Sequence, residues 1–178
     1  MSFPHPEALE ALKARRSVRR YLPEQVSNEA LDAVLEAGTY APTGRNTQSP
    51  LIVAVQNAAD RETLMRLNRA VLGTSEGDPF YGAPTILVVF ADPENSTGFE
   101  DACLVMGNLL NAAYDVGLGA CWIHRARQAF AMPEGQALME KWGVPAGMIG
   151  VGHVALGYAA DPLPEASPRR EGYIRYAR

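Results

Sequence analysis

The chain is poor in the residue types that build metal and disulfide chemistry: 178 residues contain two cysteines and three histidines. Cys103 and Cys121 belong to no CxxC pair, and no histidine stands at metal-ligand spacing from either. No zinc site or disulfide framework is expected, and both thiols should be reduced and buried. His5, His124 and His153 form no HExxH pattern, and no GxSxG elbow offers a nucleophile. The histidines are therefore expected to pack or hydrogen-bond rather than to serve a hydrolase. Positive charge is also in deficit, with 16 Lys plus Arg against 20 Asp plus Glu and a net charge of −4. A general nucleic-acid or membrane-surface binder would need a basic field, so neither partner is expected. The most apolar segment, Ala102 to Ala113, carries Asn108 and Asn111 and stops well short of the ~20 residues that span a bilayer. The opening segment, as far as Arg16, holds no apolar stretch of signal-peptide length, so a cytoplasmic location is expected.

What is present suits one globular domain over residues 1–178. That length matches the ~100–200 residues of a single domain, and 47% hydrophobic with 20% charged residues is ordinary for a packed chain. Helical spacing marks Pro6 to Arg16 and a second segment opening at Ser27, a good N-cap, with Leu31, Val34, Leu35 and Gly38 on one face. Further helices are expected over Asp60 to Leu72, Glu100 to Val116 and Gln136 to Trp142. Strands are expected at Leu51 to Val55, Thr85 to Phe90, Ala120 to His124 and Met148 to Tyr158. The helix from Glu100 is apolar nearly all round and rich in small residues. It should be buried against another helix, in its own core or at a dimer seam. Helices and strands intermix without a regular βαβ rhythm, which favours an α+β fold. Gly150-Val151-Gly152-His153-Val154-Ala155 imitates a dinucleotide fingerprint, but strand rather than helix continues from it.

Two segments carry recognisable chemistry. Arg15-Arg16-Ser17-Val18-Arg19-Arg20 gathers four arginines and a hydroxyl where a helix gives way to a loop. Such a cluster can be a solvated helix end. In a net-acidic chain it also suits a single phosphate, which guanidinium forks bind bidentately. Ala41-Pro42-Thr43-Gly44-Arg45-Asn46-Thr47-Gln48 sets amide and hydroxyl groups on a loop just before a strand, where they could meet the edge of a polar heterocycle.

In this order and spacing, the RRSxRxY cluster and the APTxxNxQ loop resemble the FMN-dependent nitroreductase family. The resemblance continues through Asp78-Pro79-Phe80-Tyr81-Gly82-Ala83-Pro84-Thr85, Met106-Gly107-Asn108-Leu109, Gly117 to Ala126, Gly150 to His153 and Leu156-Gly157-Tyr158. It implies a nitroreductase-like α+β fold, with a central mixed or antiparallel sheet wrapped by helices, working as a homodimer with FMN at the interface. It further implies NADH or NADPH as reductant, a ping-pong reaction, and a small electron-poor acceptor such as a nitroaromatic or quinone. By that pattern Arg15, Arg16 and Ser17 hold the phosphate, joined by Arg169 or Arg170. Arg19 faces the pyrimidine edge, and Pro42, Thr43, Asn46 and Gln48 enter from the other subunit. Asn68 touches the ring, and the backbone of Trp122, Ile123 and His124 lines it near N5. Phe80, Tyr81 and His124 are expected either to shape the shared substrate slot or to pack in the core or at an interface. No catalytic acid or base and no metal is implied, because the cofactor supplies the chemistry. A flavin-binding sensor or carrier without turnover is the alternative. The aromatic that the family often carries after Gln-Pro is missing, since the chain reads Gln48-Ser49-Pro50, and Val71 stands where the family often has a cation, so acceptor preference should differ.

Overall fold

A computed structural model describes residues 5–178; the first four residues, part of the opening segment read above, lie outside it. Its elements run α1 (Pro6–Ala14), α2 (Asn28–Thr39), β1 (Leu51–Val55), α3 (Ala58–Leu72), β2 (Thr85–Ala91), α4 (Gly98–Asp115), β3 (Gly119–Ile123), α5 (Ala126–Ala131), α6 (Pro133–Lys141) and β4 (Ile149–Gly157). The strands form one sheet in the order β1-β2-β4-β3, with every neighbour antiparallel. Among the described residues the one parallel pairing is an isolated bridge, Ser17 beside Ala120.

Strand β2 shows how the sequence builds the layers. All seven of its residues are buried, which explains its unbroken apolar run. Because side chains alternate along a strand, Ile86, Val88 and Phe90 face one side and Leu87, Val89 and Ala91 the other. The first set packs with Leu64 and Leu67 of α3, Phe130 of α5 and Leu138 of α6. The second meets Leu31 and Val34 of α2 and Val105, Met106 and Leu109 of α4. Each large side chain buried in these two layers is worth about 1.5–3 kcal/mol. A bulge between Val89 and Phe90 skips Val151, and that extra residue joins the α2/α4 side.

The expected helix starts and stops hold in places and shift in others. Ser27 does cap α2, its side chain accepting from Ala30 N–H at 3.2 Å. Helix α1 stops at Ala14 rather than Arg16, because Arg15 is extended (φ −53°, ψ 136°). Helix α6 begins at Pro133, three residues earlier than expected, and α5 precedes it unforeseen. Of α4, Ala102, Val105, Met106, Leu109 and Ala113 are buried within the chain. Phe99 and Leu104 of the same helix stay nearly half exposed. From Asp161 the chain is irregular and exposed throughout. No helix among the described residues is long and apolar enough to cross a membrane.

Candidate functional site

The Arg15–Arg20 segment runs along the outer edge of β3. Val18 N–H donates to Ala120 O at 3.1 Å, and Leu22 N–H to Tyr158 O at 2.9 Å. Among the described residues Arg15, Arg16 and Arg19 meet no carboxylate, whereas Arg20 lies 3.3 Å from Asp161. Arg16 turns back on its own chain, Nη1 donating to Lys13 O at 2.7 Å and Arg15 O at 2.6 Å, and its buried Nε has no partner among the described residues. Ser17, Arg19 and Arg20 share a cavity of about 310 Å³ with Asp161, Pro162, Leu163 and Pro164. Unpaired guanidinium groups beside a hydroxyl on a fixed strand edge make a donor set suited to a phosphate.

The loop ahead of β1 is held in an unusual shape. Arg45 (φ 55°), Asn46 (φ 57°) and Gln48 (φ 51°) all occupy the left-handed region within four positions. Such backbone is costly for residues with side chains and gathers at functional sites. Gln48 N–H donates to Thr43 Oγ1 at 3.1 Å, and Gln48 Nε2 to Asn46 Oδ1 at 3.2 Å. Thr43 and Gln48 line a groove of about 450 Å³ whose other walls include Leu35, Leu51, Ile52 and Val105. Pro42, Asn46 and Gln48 are exposed.

The remaining expected residues divide. His124 is exposed at the end of β3, Trp122 half-buried and Ile123 buried. Tyr81 is exposed with φ 60°, but Phe80 is not a surface residue: it is 2% exposed, edge-on to His153 with ring centroids 5.3 Å apart. Asn68 is likewise turned inward with Leu64 and Leu67, wholly buried, donating through Nδ2 to Leu64 O at 3.0 Å while Oδ1 has no partner. Asn68 therefore presents no exposed edge to a ring in this arrangement. In the exposed tail Arg169 binds Ser167 O, and the Arg170 guanidinium lies 5.8 Å over the Tyr173 ring. Each is engaged by its own segment rather than by the Arg15–Arg20 edge.

The two chemical segments stand at diagonal corners of the sheet. The register runs Leu51 to Phe90 to Gly150 at one end, and Thr85 to Leu156 to Ala120 at the other. Ser17, one strand spacing beyond Ala120, is therefore about 19 Å across and about 17 Å along the strands from the start of β1. Two residues near these segments, Asp101 and Asn95, are absent from the sequence reading, and a third, His153, enters it only as a packing or hydrogen-bonding histidine. Asp101 on α4 accepts from Gly44 N–H at 3.0 Å, and Asn95 Nδ2 donates to Thr47 Oγ1 at 2.9 Å. His153 on β4 sets Nδ1 3.3 Å from Ile123 O, beneath the end of β3. A lone carboxylate on the apolar stripe of α4 is the one signal that could have drawn attention to Asp101.

The sheet with helices on both faces thus carries an arginine-lined edge and a strained amide loop, donor sets suited to a phosphate and to polar ligand atoms. The model of the Nitroreductase family matches residues 12–158, and the chain belongs to that family. A protein of Archaeoglobus fulgidus assigned as an NADH dehydrogenase/NAD(P)H nitroreductase is 31% identical over 160 residues, 87% of each chain. A nitroreductase of Bacteroides fragilis, solved with bound FMN, superposes with a TM-score of 0.89 at 32% identity, covering 97% of this chain and 99% of that one. Another FMN-bound nitroreductase, from Desulfitobacterium hafniense, gives 0.88 at 26% identity over the whole of both chains.

Proposed function

We propose that the chain is an FMN-dependent oxidoreductase that uses NADH or NADPH to reduce electron-poor acceptors such as nitroaromatics or quinones. The observation that carries this reading is the edge of β3, where Arg15 and Arg19 flank Ser17 without a carboxylate partner. The FMN phosphate bears close to two negative charges, which two or three arginines offset. Arg15 and Ser17, with Arg16 beside them, hold that phosphate; Arg169 or Arg170 would join them from the tail only on leaving Ser167 O or the Tyr173 ring. Arg19 sits toward the pyrimidine edge, where a fixed cation favours the negative charge of the reduced state. When bound, FMN would supply the redox chemistry, as the carrier between a nicotinamide hydride donor and the acceptor. The protein binds and orients; no side chain of the chain need transfer a proton to the acceptor.

The diagonal separation of the two segments favours a homodimer in which the Pro42–Gln48 loop of one copy meets the arginine edge of the other. The half-exposed Phe99 and Leu104 of α4, and the exposed Tyr173, Ile174 and Tyr176 of the tail, offer apolar surface for that contact. Tyr81 and His124 border the acceptor slot. Two free cysteines and a net-acidic chain fit a reducing, cytoplasmic setting.

The absorption spectrum of the purified protein is the direct test. A yellow flavin band that bleaches on anaerobic addition of NADH or NADPH, and returns with a nitroaromatic or quinone, is the expected result. Persistent colour would mark a flavin carrier. A colourless chain that takes up no FMN would overturn the reading.

A further inference from the structure

Asp101 lies in the first turn of α4, only 3% exposed, and no lysine or arginine among the described residues comes within ion-pairing distance. Both of its oxygens are nonetheless used. Oδ1 accepts the Gly44 N–H at 3.0 Å, and Oδ2 accepts the Thr97 hydroxyl at 3.0 Å. Its backbone N–H donates to Thr97 O at 2.8 Å, closing the turn. The helix N-terminus tolerates a negative charge here, which makes an unpaired buried carboxylate affordable in this position.

Gly44 opens the left-handed stretch of Arg45, Asn46 and Gln48. A Cβ at position 44 would run into Thr97 Oγ1, so the loop is seated against the same turn that Asp101 organises. Farther along, Asn95 Nδ2 spends its two hydrogens on Thr47 Oγ1 at 2.9 Å and Ser49 Oγ at 2.8 Å. Three strained residues in four positions persist only where their surroundings over-determine them. The first turn of α4 and the turn before it supply that constraint from outside the loop.

We infer that Asp101 is a positioning residue. Through Gly44, and with Asn95 acting on Thr47 and Ser49, it holds the Thr43–Gln48 loop in the strained shape that presents Asn46 and Gln48 to a flavin ring. This inference rests on the FMN reading above, but its first measurement does not. Amide hydrogen exchange of residues 44–49 in the FMN-free protein reads the clamp directly. In Asp101→Leu that exchange should quicken at least tenfold while β2 and β4 exchange as in wild type. FMN and riboflavin affinities should both fall at least tenfold, since a ring contact rather than a phosphate contact is lost. Asp101→Asn keeps an oxygen for Gly44 N–H and should restore both readouts to within a few-fold of wild type. Asn95→Ala, a half-buried site, should reproduce the effect more weakly and serves if Asp101→Leu does not fold. Unchanged exchange in the folded variants, or quickened exchange with unaltered flavin affinity, would overturn the positioning role. A wild-type chain that binds no FMN would instead overturn the flavin reading, while the exchange data would still report on the clamp.

Discussion

The Tyr21 hydroxyl reaches the Ala155 carbonyl of β4 at 3.0 Å and shares its proton with Val18 O at 2.8 Å. Tyr21 is 8% exposed, and burial first, then the nearby Cys121, pushes its phenol above the ordinary range. The phenol is therefore a permanent donor, and it fastens the arginine segment to the sheet across 134 positions of sequence.

Tyr21→Phe removes that donor and leaves two buried carbonyls without it. A loss of about 1–2 kcal/mol is expected, with a fall in the melting midpoint. FMN affinity should drop further than stability alone explains, because the segment carrying Arg15, Ser17 and Arg19 loosens. Thermal unfolding and flavin titration of the same preparation measure the two effects.

Gly119→Ala tests the same edge from the other side. A Cβ there would lie 2.8 Å from Val18 Cγ2 and 2.9 Å from its Cβ and Cγ1. A β-branched, buried side chain has little freedom to yield, so the segment must shift outward at a cost of about 1–3 kcal/mol. The expected signature is weaker binding of FMN with less effect on riboflavin, since the phosphate end is displaced.

His153 should make the fold sensitive to mild acid. It is wholly buried against Phe80 and Phe130, and its Nε2 has no partner among the described residues. Burial pulls its pKa down from 6.5 to about 4, against the opposing hydrogen bonds to Ile123 and His124. The native state keeps the ring neutral where the unfolded chain already takes a proton. Its contribution is thus complete above about pH 6.5 and is lost as pH falls toward 4. The loss amounts to about 3 kcal/mol over that window. Urea unfolding at pH 7 and pH 5 should show the decline, and His153→Gln should flatten it.

Much of this fold can be read from the chain. Thr85-Ile86-Leu87-Val88-Val89-Phe90 announces a buried strand, and the spacing of Leu31, Val34 and Gly38 announces a packed helix face. Helix α5 escapes because it has six residues and starts from Arg125, left-handed and without a side-chain cap. Pro133 at the first turn of α6 was a start signal that the apolar spacing alone does not use. The placement of β4 between β2 and β3 depends on pairings some 30 to 70 residues apart, which no local pattern encodes. At the site, four arginines in six positions are conspicuous, and so is the polar loop before β1. Phe80 and Asn68 look like surface chemistry in a sequence, yet the α3 packing turns both inward. Asp101 reads as an ordinary acidic residue near a helix start until its partner on a loop 57 positions away is seen.

The corner-to-corner placement of the arginine edge and the amide loop has a genetic consequence. In the twofold pair proposed above, each flavin would draw its phosphate clasp from one chain and its loop from the other. A chain carrying Arg15→Gln and a chain carrying Asn46→Ala should each bind FMN poorly as pure dimers. Mixed, the two assemble one site with both lesions and one with neither, so flavin absorbance should reappear in a fraction of the sites. Two broken versions of this protein would mend each other only by sharing a molecule.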